Sequence, residues 1–164
     1  MAYAGALCLL QTYKMMKCDS DYKLITYQNE LLEATQNSTD VSNIFGEKIA
    51  NLKAAQARAL NAKDPNKNDN QSLTREVLDE VNGESFEFSS KNMDALLKEI
   101  EAEIDATNNE QEKALAEIAA DEQVWQMKVD SEETQNALLQ TNIDNYQKMV
   151  ESNIAASHTY GYKS

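Results

Sequence analysis

The chain has 164 residues, of which 41% are hydrophobic and 7% aromatic, with a single proline and four glycines. These proportions favour helix throughout and leave little room for a sheet. The net charge of −13 argues against nucleic acid as a partner, because phosphate binding requires clustered lysine and arginine. The excess lies in residues 64–164, which carry eight basic and 22 acidic side chains.

The amino-terminal segment is apolar at residues 4–10, but it does not have the pattern of a signal peptide. No basic residue precedes the run, which is only seven residues long. It is also shorter than the roughly 18–20 apolar residues of a membrane span. We therefore expect no membrane span, and we expect any export to use a route without a cleaved signal.

A first helical arm is predicted over residues 3–63, where leucine and isoleucine recur near helical spacing. Within it, Ser38, Thr39 or Asp40 can cap a second helical stretch that begins at residue 41. The sequence leaves open whether the helix stops there or runs straight through.

The only thiols, Cys8 and Cys18, lie on this arm. Ten residues of helix separate them by about 15 Å along the axis, so they cannot form a disulfide within one helix. Two interpretations stay open, namely two small buried apolar side chains or a bridge between molecules.

A polar loop is predicted at residues 64–72, which contain the only proline. A small insert follows at residues 73–89. It combines a short helix, ended by Gly83, with a brief extended segment at residues 85–88.

The second helical arm is predicted over residues 90–157, followed by a tail at 158–164. Apolar residues recur there in steps of three and four, as in a coiled coil, without an intervening glycine or proline. Polar residues interrupt this stripe at 105–111 and 130–136. Of the two interruptions, residues 107–109 are favoured as a break in the helix.

The whole chain, residues 1–164, is predicted to be one all-α domain. The arms fold back into an elongated antiparallel helical hairpin or coiled coil, with the insert between them, because this arrangement buries both apolar stripes. We expect the acidic residues at 94–133 to face water and residues 134–154 to pack against the amino-terminal helix.

An assembly interface is predicted at the two ends of the chain. All seven tyrosines lie there, and residues 1–16 contain one charged side chain, Lys14. Tyrosine is enriched and charge is depleted at interfaces, although tyrosines that line the hairpin's own interior explain the pattern as well. The predicted interface consists of Tyr3, Leu7, Leu10, Tyr13, Met16, Leu139, Ile143, Tyr146, Val150 and Ile154.

The sequence contains no pattern that indicates catalysis. Its single histidine, His158, has no acidic neighbour, and no metal-binding or phosphate-binding motif is present. We therefore predict a protein that is not an enzyme and that needs no cofactor or metal.

The order of the parts resembles the EspA and SseB group of secreted type III filament proteins over about residues 5–155. The most specific stretch is Thr74-Arg75-Glu76-Val77-Leu78-Asp79-Glu80-Val81-Asn82, followed by Phe86-Glu87-Phe88 and a helix that opens at Ser90. The resemblance implies self-assembly of the paired terminal helices into a hollow extracellular filament, with the insert displayed outward. It also implies a secretion chaperone or secretion apparatus as a further partner.

Two functions are compatible with these features. The first is a structural, self-assembling filament subunit at the cell surface or outside the cell. The alternative is an intracellular coiled-coil adaptor, bundle or chaperone that binds a partner's helix in the cytoplasm. An adaptor tolerates a bulky tag at the amino terminus, whereas a filament built on residues 2–20 does not.

Overall fold

The computed structural model of this chain describes residues 2–62 and 93–161, which form two α-helices. Helix α1 spans Ala2–Ala62 and helix α2 spans Met93–Gly161. The predicted loop at 64–72 and the predicted insert at 73–89 lie outside the described residues. The second arm was predicted to end at residue 157, and the helix continues four residues further.

The two helices pack against each other in opposite directions. Tyr13 near the start of α1 contacts Tyr146 near the end of α2, whereas Lys48 lies 4.0 Å from Glu103. Residues later in α1 therefore meet residues earlier in α2. The described residues thus confirm the predicted all-α antiparallel helical hairpin.

Helix α1 runs through residues 38–40 without a stop, which answers the question that the sequence left open. The Thr39 hydroxyl donates a hydrogen bond to the Thr35 carbonyl at 3.2 Å, and the Ser42 hydroxyl donates to the Ser38 carbonyl at 2.9 Å. A capping side chain instead accepts a bond from a backbone N–H of the next turn. Thr39 and Ser42 therefore belong to the interior of the helix and do not cap it.

The predicted break at residues 107–109 is wrong, since α2 is helical across it and across 130–136. Polar residues such as Thr and Asn cost at most about 0.7 kcal/mol each in helix propensity, far less than proline. Thr107 is also buried, and the Asn136 side chain bonds to α1. Polarity interrupts the apolar stripe here without interrupting the backbone hydrogen bonds.

The chain divides into two compact units. The terminal unit comprises Met1–Ala34 and Asp121–Ser164, and the central unit comprises Thr35–Ala120. In the central unit the helices meet at one buried cluster, whose α1 side is formed mostly by small residues. Its buried members are Leu52, Ala55, Ala59, Leu96, Ile100 and Ile104. Alanine on one helix allows larger side chains of the other to approach its backbone.

Most acidic side chains in residues 94–133 are exposed, as predicted. Those that are not wholly exposed follow the side of α2 that packs on α1: Glu99, Glu103, Glu122 and Glu132. Of these, Glu132 is the most buried, with 7% of its surface exposed. The expectation that residues 134–154 pack against the start of α1 is also confirmed, because Ile143 and Val150 cluster with Ala6 and Leu10.

Candidate interaction surface

In the terminal unit, the side of α1 that meets α2 follows a regular spacing. Buried and half-buried residues recur there in alternating steps of four and three, as in a coiled coil. We call these residues the inner seam: Ala6, Leu10, Tyr13, Lys17, Ser20, Leu24, Tyr27, Leu31 and Ala34. The seam is only partly apolar, so its contacts with α2 differ in kind along its length.

The end of the inner seam nearest the chain termini is apolar and aromatic. Tyr13 and Tyr146 stack with their ring centroids 5.4 Å apart and their planes inclined by 21°. Ile143 and Val150 lie against the same part of α1, beside Leu10. A stacked aromatic pair contributes about 0.5–1.5 kcal/mol beyond the area that it buries. These contacts hold the two ends of the chain together.

A polar layer follows along the seam. The Asn136 side-chain amide donates hydrogen bonds to the Asp21 carboxylate at 2.6 Å and to the Ser20 hydroxyl at 3.2 Å. Lys17 Nζ donates to both Asp21 oxygens, at 3.0 and 3.1 Å. The Asn136 bond first, and then Lys17, lower the pKa of Asp21 below its ordinary value of 3.8. This layer satisfies polar groups between the helices and fixes their register.

The polar layer gives a testable pH dependence. A carboxyl with a lowered folded-state pKa stabilises the fold above its unfolded value, and this contribution is lost as the pH falls through the folded pKa. Asn136→Ala removes the largest cause of the shift, so we expect the pKa of Asp21 to rise towards 3.8. Titration of the Asp21 carboxyl carbon by NMR between about pH 2 and pH 6 measures this change.

Gln140→Ala provides the matched control, because the Gln140 amide donates to Asp144 at 2.8 Å on α2 itself. This variant should leave the Asp21 midpoint where it is in the parent protein. A midpoint that stays unchanged in Asn136→Ala would contradict the role of the interhelical bond.

An aromatic layer lies further along the seam. Tyr27 and the only tryptophan, Trp125, have ring centroids 6.0 Å apart, and Lys128 Nζ lies 3.7 Å from the Trp125 centroid. An ammonium this close to an indole face makes a cation–π contact. An open groove of about 410 Å³ adjoins the layer, lined by Tyr27, Val124, Met127, Lys128, Ser131 and Glu132. An open groove is more accessible to a side chain of another protein than the enclosed clefts that hold small reactants.

The opposite side of α1 is also apolar, and it is exposed. We call this surface the outer face: Cys8, Met15, Cys18, Tyr22, Ile25 and Leu32. Met15 and Tyr22 expose 71% and 74% of their surface. Each of these residues lies two positions after or two positions before a residue of the inner seam, which places it roughly 160–200° around the helix from that residue. The outer face therefore points away from α2.

The two cysteines belong to this outer face, and both are exposed. The interpretation of Cys8 and Cys18 as buried apolar side chains is therefore wrong. Their spacing from the inner seam places them on the side of α1 that α2 does not cover. A bridge between molecules stays a prediction.

Along one flank of α2, exposed polar side chains form a stripe of hydrogen bonds within the helix. Gln126 donates to Asp130 at 2.7 Å, and Gln147 donates to Glu151 at 3.2 Å. Exposed apolar residues do occur beside this polar stripe: Val124, Met127, Leu138, Met149 and Ile154. On the exterior of α2, the polar residues Ser131 and Thr134 separate the exposed Met127 from the exposed Leu138.

The predicted interface residues separate into two groups. Six are buried or half-buried in the hairpin: Leu10, Tyr13, Leu139, Ile143, Tyr146 and Val150. Three are exposed and can meet another molecule: Leu7, Met16 and Ile154. The side chain of Tyr3 lies outside the described residues. The sequence prediction missed most of the outer face, although residues seven apart, such as Met15 and Tyr22, carried the signal.

Among the side chains that the structure describes, no group of three or more His, Cys, Asp or Glu residues could hold a metal ion. Neither described helix has a stretch that is long and apolar enough to cross a membrane. The fold and its surfaces define a class of protein, an antiparallel helical hairpin whose helices meet along a coiled-coil-like seam. Comparison of the chain with protein-family models, curated proteins and solved structures gives no match.

Proposed function

We propose that this chain is a structural, self-assembling helical protein, the subunit of a secreted filament that polymerises through its terminal helices. The observation that carries this proposal is the exposure of large apolar side chains on both helices of the terminal unit. They include Leu7, Leu9, Met15, Met16, Tyr22, Ile25, Leu32, Leu138, Met149 and Ile154. Contiguous exposed apolar surface is typical of sites that bind other proteins.

The charge of the chain supports a specific mode of assembly. The net charge of −13 makes copies repel one another, while their apolar surfaces attract. Salt shortens the range of the repulsion from about 30 Å at 0.01 M to about 10 Å at 0.1 M. Assembly is therefore favoured by moderate salt and by mildly acidic pH.

Export is the second part of the proposal, and it rests on the resemblance to the EspA and SseB group. In that case the chain leaves the cell by a type III apparatus, with a secretion chaperone bound before export. Recovery of the protein from the medium of cells that have this apparatus, and not from cells that lack it, tests this part. Retention in the cytoplasm of both would favour the adaptor function.

Sedimentation and negative-stain microscopy of the purified full chain test self-assembly. We expect the sedimented fraction to rise as salt increases from about 0.01 to 0.15 M, because screening weakens the repulsion among carboxylates. We also expect a bulky domain fused before residue 2 to prevent sedimentation. A sedimented fraction that falls with salt would contradict the mechanism.

The same fusion protein separates the two functions. An adaptor that binds a foreign helix keeps its partner when tagged and remains dispersed at every salt concentration. A filament subunit polymerises untagged and fails to polymerise with the tag. Dispersed particles from the untagged chain at all salt concentrations would overturn the proposed self-assembly.

A further inference from the structure

We propose that the outer face of α1 pairs in parallel, in-register alignment with the outer face of a second copy of this chain. This inference rests on the self-assembly proposed above and names the surface and the orientation of one contact. The spacing, the register and the charge of α1 favour a second copy of the chain as the partner.

The outer face has the spacing of a second coiled-coil seam. Alternating steps of three and four connect Cys8, Gln11, Met15, Cys18, Tyr22, Ile25, Asn29 and Leu32, all of them exposed. The stripe is about 36 Å long at 1.5 Å per residue. It ends at Leu32, because the next equivalent positions hold Gln36, Thr39, Asn43 and Gly46. An apolar stripe at this spacing suits another helix rather than water.

The positions within this stripe favour pairing with an identical helix. Met15 and Tyr22 occupy the first core position of successive heptads, and Cys18, Ile25 and Leu32 occupy the second. Asn29 occupies the first core position of the last heptad. An asparagine at such a position specifies register, because its amide is satisfied only by a polar group at the same level of the partner. In a parallel pair in register, Asn29 meets Asn29 of the partner subunit.

The flanking charges distinguish parallel from antiparallel pairing. In a parallel pair, Lys14 of one copy lies beside Asp19 of the partner subunit, and the symmetry repeats this contact on the other side. Within the described part of the chain, neither side chain takes part in an ion pair. The remaining flanking positions in this alignment bring no like charges together.

An antiparallel pair with full overlap of residues 8–32 has the opposite electrostatics. Asp19 then lies near Asp19 of the partner subunit, and Asp21 lies near Asp21 of the partner subunit. Like charges across such a seam are unfavourable and select against this orientation. Charge complementarity thus assigns the parallel arrangement.

The two cysteines allow a direct test of orientation. In the parallel pair each thiol faces its own counterpart, whereas the antiparallel pair separates the two Cys8 thiols by about 36 Å. The experiment uses the full chain as Cys18→Ser, Cys8→Ser and the double variant, each oxidised with diamide. As each S–S bond forms, diamide accepts two electrons and two protons from the two thiols. We expect disulfide-linked dimers from both single variants and none from the double variant.

Two further substitutions, made in the Cys18→Ser background, test the surface itself. Tyr22→Asp places a charge in the proposed seam, and we expect it to lower the cross-linked fraction about tenfold. Ile25→Asp serves as a second variant with the same expected loss. Ile44→Asp is the matched control, because Ile44 lies on the same helix with 61% exposure but off the outer face. It should cross-link as the Cys18→Ser protein does, and circular dichroism establishes that each variant keeps its helix content.

Cross-linking and sedimentation together distinguish the parallel pairing of the outer face from the proposed self-assembly. Cross-linking through Cys18 but not through Cys8 would overturn the parallel, in-register alignment. Equal cross-linking of Tyr22→Asp and Ile44→Asp would show that the outer face is not the contact surface. Polymers that sediment without any Cys8 cross-link would overturn this inference and leave self-assembly standing. Cross-linked dimers without polymers would support this inference and overturn the filament.

Discussion

Leu52→Ala is expected to lower the free energy of unfolding by about 2–5 kcal/mol. Leu52 has no exposed surface and lies in the buried cluster of the central unit. Its truncation removes apolar contacts and leaves a cavity beside the alanines of α1, which are too small to fill it. Urea denaturation of the full chain, followed by circular dichroism, measures the loss.

Leu60→Ala is the control for this prediction, because Leu60 lies on the same helix with 56% of its surface exposed. Leucine and alanine have similar helix propensities, so a change within about 0.5 kcal/mol is expected. Equal losses in the two variants would show that burial in the central cluster does not determine the stability of the hairpin.

The second large effect on stability is an expected increase in the free energy of unfolding. Thr107 has 1% of its surface exposed, and its hydroxyl oxygen has no hydrogen-bond partner among residues 2–62 and 93–161. A buried polar group without a partner costs about 1–3 kcal/mol. Thr107→Val replaces the hydroxyl by a methyl group of similar size, so we expect the free energy of unfolding to rise by an amount in this range. Thermal and urea denaturation both report the gain.

Thr134→Val is the matched substitution at an exposed position of the same helix. The Thr134 hydroxyl donates to the Asp130 carbonyl at 2.9 Å, so it is satisfied in the folded state. We expect a change within about 0.5 kcal/mol. A loss of stability in Thr107→Val would mean that its hydroxyl is hydrogen-bonded in solution.

The helical class and the antiparallel pairing follow from the sequence because they depend on local rules. Apolar residues three and four apart give each helix an apolar side, and a polar stretch between two such helices lets them fold back. The spacing of Leu139, Ile143, Tyr146 and Val150 indicates such an apolar side on α2. Their burial depends little on which residues lie opposite.

The uninterrupted course of α2 could not be derived in the same way. Residues 107–109 are polar, and polarity is typical of loops as well as of helices. Thr107 is nonetheless buried, and the helix continues through this stretch without a break. Sequence patterns record neither of these.

Helix α1 carries two apolar stripes, of which only one contacts α2. Leu10 and Leu24 belong to the inner seam, whereas Ile25 and Leu32 belong to the outer face. Both stripes are apolar and interleaved, so the sequence alone cannot say which one meets α2. The structure separates them, and it places the cysteines with the exposed stripe.

The position of the lone tryptophan has a practical consequence for experiments on this chain. Trp125 lies in the terminal unit, under the ammonium of Lys128 and beside Tyr27. Its emission therefore reports the melting of that unit alone, whereas ellipticity reports both. Coincident curves from the two signals would show one cooperative transition. Separate curves would give each unit its own midpoint, so that the effect of Leu52→Ala on each could be followed independently.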